Sequence, residues 1–139
     1  MKACIYIFTF CIILLTPHCE YAAQTVFQTS NQFRGATYRS AVSENDLTSV
    51  PKWDAHQDFP PLAPRRAELA AKRAIQKLMP EITDWTANRI SIRRAGTPDN
   101  WIYVVELSTL FPQGEIRGKL EAVEVLVLLN GIAVIPTKD

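Results

Sequence analysis

Hydrophobic and polar positions follow two different periods in the C-terminal half of the chain. From Arg65 to Met79, apolar residues recur every three to four positions, and basic residues occupy the opposite side of the helical wheel. Pro64 suits the first turn of a helix, because the N–H group that proline lacks would be unpaired there, and Pro80 ends the pattern. The pattern predicts an amphipathic helix whose alanine-rich side packs against a sheet.

After the helix the period changes to two, which is typical of β-strands. Alternation from Asn88 to Arg93 predicts a first strand, and aromatic and β-branched residues from Trp101 to Leu110 predict a second. A third predicted strand runs from Leu120 to Leu129. Asn130-Gly131 is typical of a type I′ turn and leads into a fourth strand, Ile132 to Pro136. We therefore predict an α+β fold, in which one helix packs on a four-stranded antiparallel meander.

The turns also predict which side chains share a face of this sheet. A loop centred near Glu115 pairs residues of the second and third strands whose numbers sum to about 230. The face under the helix then carries only apolar residues: Ile90, Ile92, Trp101, Tyr103, Val105, Leu107, Val123, Val125, Val127, Leu129, Ile132 and Val134.

The opposite face, which we call the second face, carries a contiguous apolar patch. Its predicted members are Ile102, Val104, Leu126, Leu128, Ala133 and Ile135. Soluble monomers rarely leave such a patch in water. It predicts either that the preceding segment of the chain covers the second face or that a partner binds there. The partner-binding residues would be Ile102, Val104, Leu126, Leu128 and Ile135, and the partner would be another protein, a peptide or a second copy of the chain.

The N-terminal residues predict export. Lys2 precedes an apolar run from Ala3 to Leu15, and the small residues Ala22 and Ala23 follow, as in a secretory signal peptide. The run is too short to span a bilayer, and no second apolar segment in the sequence is long enough to do so. We predict a signal peptide over residues 1–23 and a periplasmic or secreted location.

Cysteine content supports this interpretation and narrows the class of protein. Cys4, Cys11 and Cys19 all lie in the predicted signal peptide, so the exported chain would contain none. Small exported domains without disulfides are more typical of bacteria than of eukaryotes. A lipid anchor at Cys19 is an alternative, although the bulky residues before it do not suit that processing. The formal net charge of +1 argues against a nucleic-acid-binding protein.

Residues 24–61 are polar and show no sustained period of two or 3.6. Ser43 and Asp46 have the spacing that caps a short helical turn ahead of Pro51. We interpret this segment as a partly ordered N-terminal arm that precedes a single helix-plus-sheet domain over residues 62–139. The arm is the part of the chain that would cover the second face.

The sequence contains no nucleophile motif and no glycine-rich phosphate loop, so we predict a protein that is not an enzyme and that uses no cofactor. Glu106 and Glu124 are the alternative: opposed carboxylates can serve as a catalytic acid–base pair. With Arg89 beside them, they are more simply an ion-paired row on the sheet.

Two further clusters have both a functional and a structural interpretation. Asp54, His56 and Asp58 alternate, and an extended segment would aim all three at one metal ion, but we predict a polar approach to the prolines that follow and no metal. The basic side of the helix could contact a membrane or a polyanion, although a solvated helix face explains it more simply. Its residues are Arg65, Arg66, Lys72, Arg73 and Lys77.

The order of these segments resembles the PepSY-like domains of exported bacterial proteins. The resemblance is carried by PPLAPRRAELAAKRAIQKLMP, WIYVVEL and VEVLVLLNGIAV, and it covers residues 58–136. The usual Asp-x-x-Thr-Gly ending is replaced by Leu128-Leu129-Asn130-Gly131. The resemblance implies a cystatin-like helix-on-sheet architecture and, as an alternative function, a peptidase-inhibitory role. Our first expectation is a small exported module that binds a protein or peptide.

Overall fold

The computed structural model of the chain describes residues 23–54, 56–109 and 121–139. The fold is α+β, as predicted, and its described helices are α1 (Glu44–Leu47) and α2 (Pro64–Leu78). A four-stranded antiparallel sheet contains, in order, β3 (Thr86–Arg94), β4 (Trp101–Ser108), β5 (Ala122–Leu128) and β6 (Ala133–Val134). A three-stranded antiparallel sheet contains β1 (Thr25–Phe33), β2 (Ala36–Ser43) and β7 (Thr137–Lys138). The predicted signal peptide, apart from Ala23, and the predicted loop centred near Glu115 lie outside the described residues.

Helix α2 packs on the four-stranded sheet through its small residues. Ala67, Ala71 and Ile75 are fully buried, and Ala74 is nearly so. Alanine side chains let the helix backbone approach the strands closely, and Pro64 occupies the first turn as predicted. Most of the basic side of the helix is exposed. The prediction of an amphipathic helix with an alanine-rich inner side is confirmed.

The strand register of the sheet agrees with the prediction in its first three strands. In β4 and β5, Tyr103 lies opposite Val127 and Val105 lies opposite Val125, so the paired numbers sum to 230. In β3, Ile90 lies opposite Val105, which places it on the helix side. Because side chains alternate between the two faces of a strand, these pairings confirm both faces of β3, β4 and β5.

The turn into β6 differs from the prediction by one residue. Leu128 donates its N–H to the carbonyl of Ile132 and accepts from the N–H of Gly131, so three residues rather than two connect the strands. Gly131 has φ +88°, the left-handed conformation that closes such a loop and that glycine adopts without steric cost. Asn130 Oδ1 accepts the Ile132 N–H and supports the turn.

This one-residue change moves the side chains of the last strand to opposite faces. Val127 lies opposite Ala133, and Leu126 lies opposite Val134. Val134 therefore belongs to the second face, while Ala133 lies on the helix side, and Ile135 is directed towards the same helix. The predicted placement of Ala133 and Ile135 on the second face was wrong, because the turn contains one residue more than a type I′ turn.

The predicted arm is largely a β-hairpin. Strands β1 and β2 pair along their length and meet at Arg34 and Gly35, whose φ values of 48° and 74° are those of a type I′ turn. The inward positions of β1 include polar Thr29 and Asn31 between Phe27 and Phe33, which is why the sequence showed no clean alternation. The predicted capping of α1 is confirmed, since the Ser43 hydroxyl accepts from the Asp46 N–H.

The C-terminal segment joins the two sheets. The chain pairs with β5 in β6 and, after Pro136, pairs with β2 in β7. Asp139 donates its N–H to the Thr37 carbonyl, and its carboxylate lies 3.0 Å from Arg39 Nη2. The described chain therefore forms three layers: helix α2, the four-stranded sheet, and the three-stranded sheet that includes the hairpin.

Tyr103 links the helix layer to the segment that precedes the helix. Its hydroxyl donates to the Leu62 carbonyl at 2.8 Å, and burial raises its pKa above the ordinary value of 10.0. As the pH rises through about 10, unfolded chains lose this proton before folded chains do, so the free energy of unfolding should fall. We expect Tyr103→Phe to lower stability by about 0.5–1.5 kcal/mol at neutral pH and to weaken the alkaline decline. Urea denaturation across a pH series measures both effects. If the free energy of unfolding falls equally with rising pH in the variant and in the unmodified protein, the alkaline decline does not come from Tyr103.

Candidate functional site

Four of the five residues predicted to bind a partner lie inside the folded chain. Ile102, Val104, Leu126 and Leu128 are all buried, because the β1–β2 hairpin packs over β5. Asn31 of the hairpin also accepts the Glu124 N–H, a backbone donor of β5 that β6 does not reach. The first of the two predicted covers, the N-terminal arm, therefore occupies the second face. A partner would reach these four residues only by displacing the hairpin, and such binding stays a prediction.

Ile135, the fifth predicted residue, lies at a different place and is 49% exposed. It lines an open groove of about 210 Å³ between α2 and the end of the four-stranded sheet. We call this space the α2–β6 groove. Its lining residues are Ala70, Arg73, Ala74 and Lys77 of the helix and Gly131, Ala133 and Ile135 of the last hairpin.

The groove follows from the small residues on both of its sides. The four helix residues recur at intervals of three and four, so they form one stripe along α2. Ala70 and Ala74 leave open space at the floor of the groove, and opposite them Gly131 and Ala133 add little bulk. Arg73 and Lys77 are separated by one helical turn, and both side chains are exposed. The arrangement is an apolar floor with two cations beside it.

The charges of α2 divide into a compensated group and an uncompensated one. Glu68 lies 2.8 Å from Lys72 Nζ and 2.7 Å from Arg65 Nη1, and hydrogen bonds from these two cations lower the pKa of its carboxyl. Within the described ranges, the side chains of Arg73 and Lys77 make no ion pair or hydrogen bond to another residue. Arg66 near the start of the helix likewise makes no ion pair with a described residue, so Arg73 and Lys77 are two of three such cations on α2 and the two that lie at the groove.

One large apolar side chain of the groove lining is exposed: Ile135, at 49%. Ile132 is also exposed, but it lies opposite Leu128 and alternates with Ala133, so its side chain is directed away from the groove. Apolar surface beside uncompensated positive charge is suited to a ligand that carries both an apolar group and an anion.

Glu106 and Glu124 lie opposite each other, as predicted, and share one cation. Arg89 Nη2 is 2.7 Å from Glu106 Oε2 and 3.8 Å from Glu124 Oε1. One arginine placed between two opposed carboxylates is the arrangement of an ion-paired row on a sheet. This geometry offers no support for the enzyme alternative.

The Asp54–His56–Asp58 segment turns back on itself rather than running extended. Asp54 Oδ1 accepts the His56 N–H, and the Asp54 carbonyl accepts the Gln57 N–H. The alternating geometry that a metal site required is therefore not present here. Over residues 23–54, 56–109 and 121–139, no three His, Cys, Asp or Glu side chains are grouped as metal ligands would be.

Sequence reasoning placed Arg73 and Lys77 on a solvated helix face and did not connect them with Ile135. The connection was missed because the predicted type I′ turn sent Ile135 to the other face of the sheet. An Asn-Gly pair is also compatible with a three-residue loop that ends in a left-handed glycine. A prediction based on the three-residue loop would have placed Ile135 beside the helix.

None of the described helices is both long enough and apolar enough to span a membrane. No protein-family model matches the chain, and no significant match was found among curated proteins or among solved structures.

Proposed function

We propose that this chain is a small exported, non-enzymatic module that binds a carboxylate-bearing peptide segment of another protein in the α2–β6 groove. The observation that carries the proposal is the presence of two uncompensated cations, Arg73 and Lys77, beside an apolar floor with the exposed Ile135. Export rests on the predicted signal peptide. A peptidase-inhibitory role, which the resemblance to PepSY-like domains implies, would be the case in which the bound segment belongs to a peptidase.

Charge favours a foreign acidic segment over the other possible occupants. A second copy of the chain, docked symmetrically through this groove, would bring Arg73 and Lys77 against their own equivalents, and like charges repel. Nucleic acid requires a more extended positive surface than two cations on a chain of net charge +1. A peptide segment supplies a carboxylate for the cations and apolar side chains for the floor.

The proposal predicts that the two groove cations control peptide binding. We expect the immobilised protein to retain carboxylate-bearing members of a pool of random synthetic peptides, and Arg73→Ala/Lys77→Ala to retain at least about tenfold less of them, since charge-assisted hydrogen bonds are lost. Mass spectrometry of the eluted peptides measures retention.

The matched control is Arg93→Ala/Lys138→Ala, which removes the same charge from exposed positions on β3 and β7. It should retain the same peptides as the unmodified protein. Equal losses in both variants would point to nonspecific attraction, and retention that is unchanged in both would exclude the groove as the binding site.

A further inference from the structure

We infer that the α2–β6 groove recognises the free C-terminus of a peptide, with its terminal carboxylate at Arg73 and Lys77 and its last side chain on the apolar floor. This inference rests on the function proposed above and specifies which carboxylate the groove binds. An acidic side chain within a longer segment is the competing source of the same anion.

The size of the groove favours the end of a chain. About 210 Å³ is less than the 300–1,000 Å³ of a typical ligand pocket. A volume of this order holds one or two side chains, whereas a segment that continues in both directions needs a groove open along its length. A C-terminal residue needs only room for its own side chain and carboxylate.

The groove offers separate contacts for the carboxylate and for the side chain of such a residue. Arg73 and Lys77 lie one helical turn apart on the same side of α2, so their side chains can converge on one anion from two directions. Arginine offers a planar pair of donors that matches the two oxygens of a carboxylate, and lysine adds a flexible point charge. Ala70, Ala133 and Ile135 provide the apolar contacts for the last side chain.

The groove composition also limits the choice of terminal residue. Within its lining there is no acidic side chain, so a basic terminal residue would gain no partner and would meet Arg73 and Lys77 as like charges. The volume of about 210 Å³ suits a small or medium side chain together with the carboxylate better than a large aromatic ring. We therefore infer a small or medium aliphatic terminal residue, such as valine or leucine.

Two matched peptide pools test the inference. Both pools contain the same random synthetic peptides, one with free C-terminal carboxylates and the other with C-terminal amides. We expect the immobilised protein to retain the free-acid pool at least about tenfold better than the amide pool, with aliphatic terminal residues enriched. In Arg73→Gln/Lys77→Gln, which keeps polar side chains of similar length, the difference between the pools should disappear.

A second variant keeps both cations and fills the floor. Ala70→Leu adds bulk within the groove at a position that is only partly buried, and it retains strong helix propensity. Retention of the free-acid pool should fall in this variant, while circular dichroism shows an unchanged fold. Retention at the unmodified level would contradict the placement of the last side chain on the floor.

The outcomes separate the inference from the proposed function. If amide and free-acid pools are retained equally and retention still requires Arg73 and Lys77, the groove binds acidic side chains and only the inference fails. Octanoate has an aliphatic chain and a carboxylate but no peptide bond. If it displaces the retained peptides at the same concentration as a free-acid peptide does, the groove binds any aliphatic carboxylate and not specifically a peptide end, and the inference also fails. If neither pool is retained, both proposals fail.

Discussion

Leu126→Ala should lower the free energy of unfolding by about 2–5 kcal/mol, among the largest effects of any single substitution in this chain. Leu126 is fully buried between the four-stranded sheet and the β1–β2 hairpin, opposite Val104 on β4 and Val134 on β6. Truncation removes apolar contacts and leaves a cavity that two packed sheets can fill only partly. Urea denaturation followed by tryptophan fluorescence measures the loss.

The matched control for this substitution is Ile132→Ala. Ile132 is a similar aliphatic side chain on the last hairpin, but it is 59% exposed, so its truncation should change stability by no more than about 0.5 kcal/mol. If Leu126→Ala costs no more than this control, the hairpin does not cover the second face, and that face would be available to a partner.

Ala71→Leu should destabilise the protein by about 1–3 kcal/mol through overpacking. Ala71 is fully buried where α2 crosses the sheet, and a leucine there would force the helix away from β4 and β5. The intrinsic helix propensity of leucine is nearly that of alanine, so the loss would report packing rather than helix formation. Thermal and urea denaturation both measure it.

The control for overpacking is Arg66→Leu, which places the same side chain at an exposed position of the same helix. It should leave stability within about 0.5 kcal/mol of the unmodified protein. An equal effect at Ala71 and at the exposed position would mean that the alanine-rich side of α2 is not the side that faces the sheet.

The helix and the first three strands of the four-stranded sheet were predictable because each depends on local patterns. The 3.6-residue period of α2 begins after Pro64 and ends before Pro80. The period of two in β4 and β5 is accompanied by β-branched and aromatic residues. Their register was predictable as well, since only one pairing places every apolar side chain of the inner face under the helix.

The hairpin of the N-terminal segment was not predicted, because its inward positions mix polar and apolar residues. Thr29 and Ser40 lie opposite each other, and both hydroxyl oxygens are buried without a hydrogen-bond partner in the described chain. Such a pair does not follow from a binary pattern, which assigns polar residues to solvent. The hairpin is held against the apolar patch of the second face, and this burial is a matter of tertiary packing that local sequence does not show.

The candidate site depended on one turn that local sequence left open between two geometries. Asn130-Gly131 permits either a two-residue or a three-residue connection, and the tertiary structure adopts the longer one. The extra residue turns Ile135 from the second face to the groove beside Arg73 and Lys77.

By itself, the sequence determined the amphipathic helix, the two faces of β3, β4 and β5, and the presence of an apolar patch that could not remain in water. These features follow from the periodicity of side-chain positions, which is 3.6 residues in a helix and two in a strand and can be read from a few neighbouring residues. The tertiary structure alone decided that the chain covers its own second face with a hairpin, and that the exposed apolar and cationic residues meet in the α2–β6 groove. Both outcomes depend on contacts between residues far apart in the chain, where a single residue in a turn reverses the direction of every side chain that follows it.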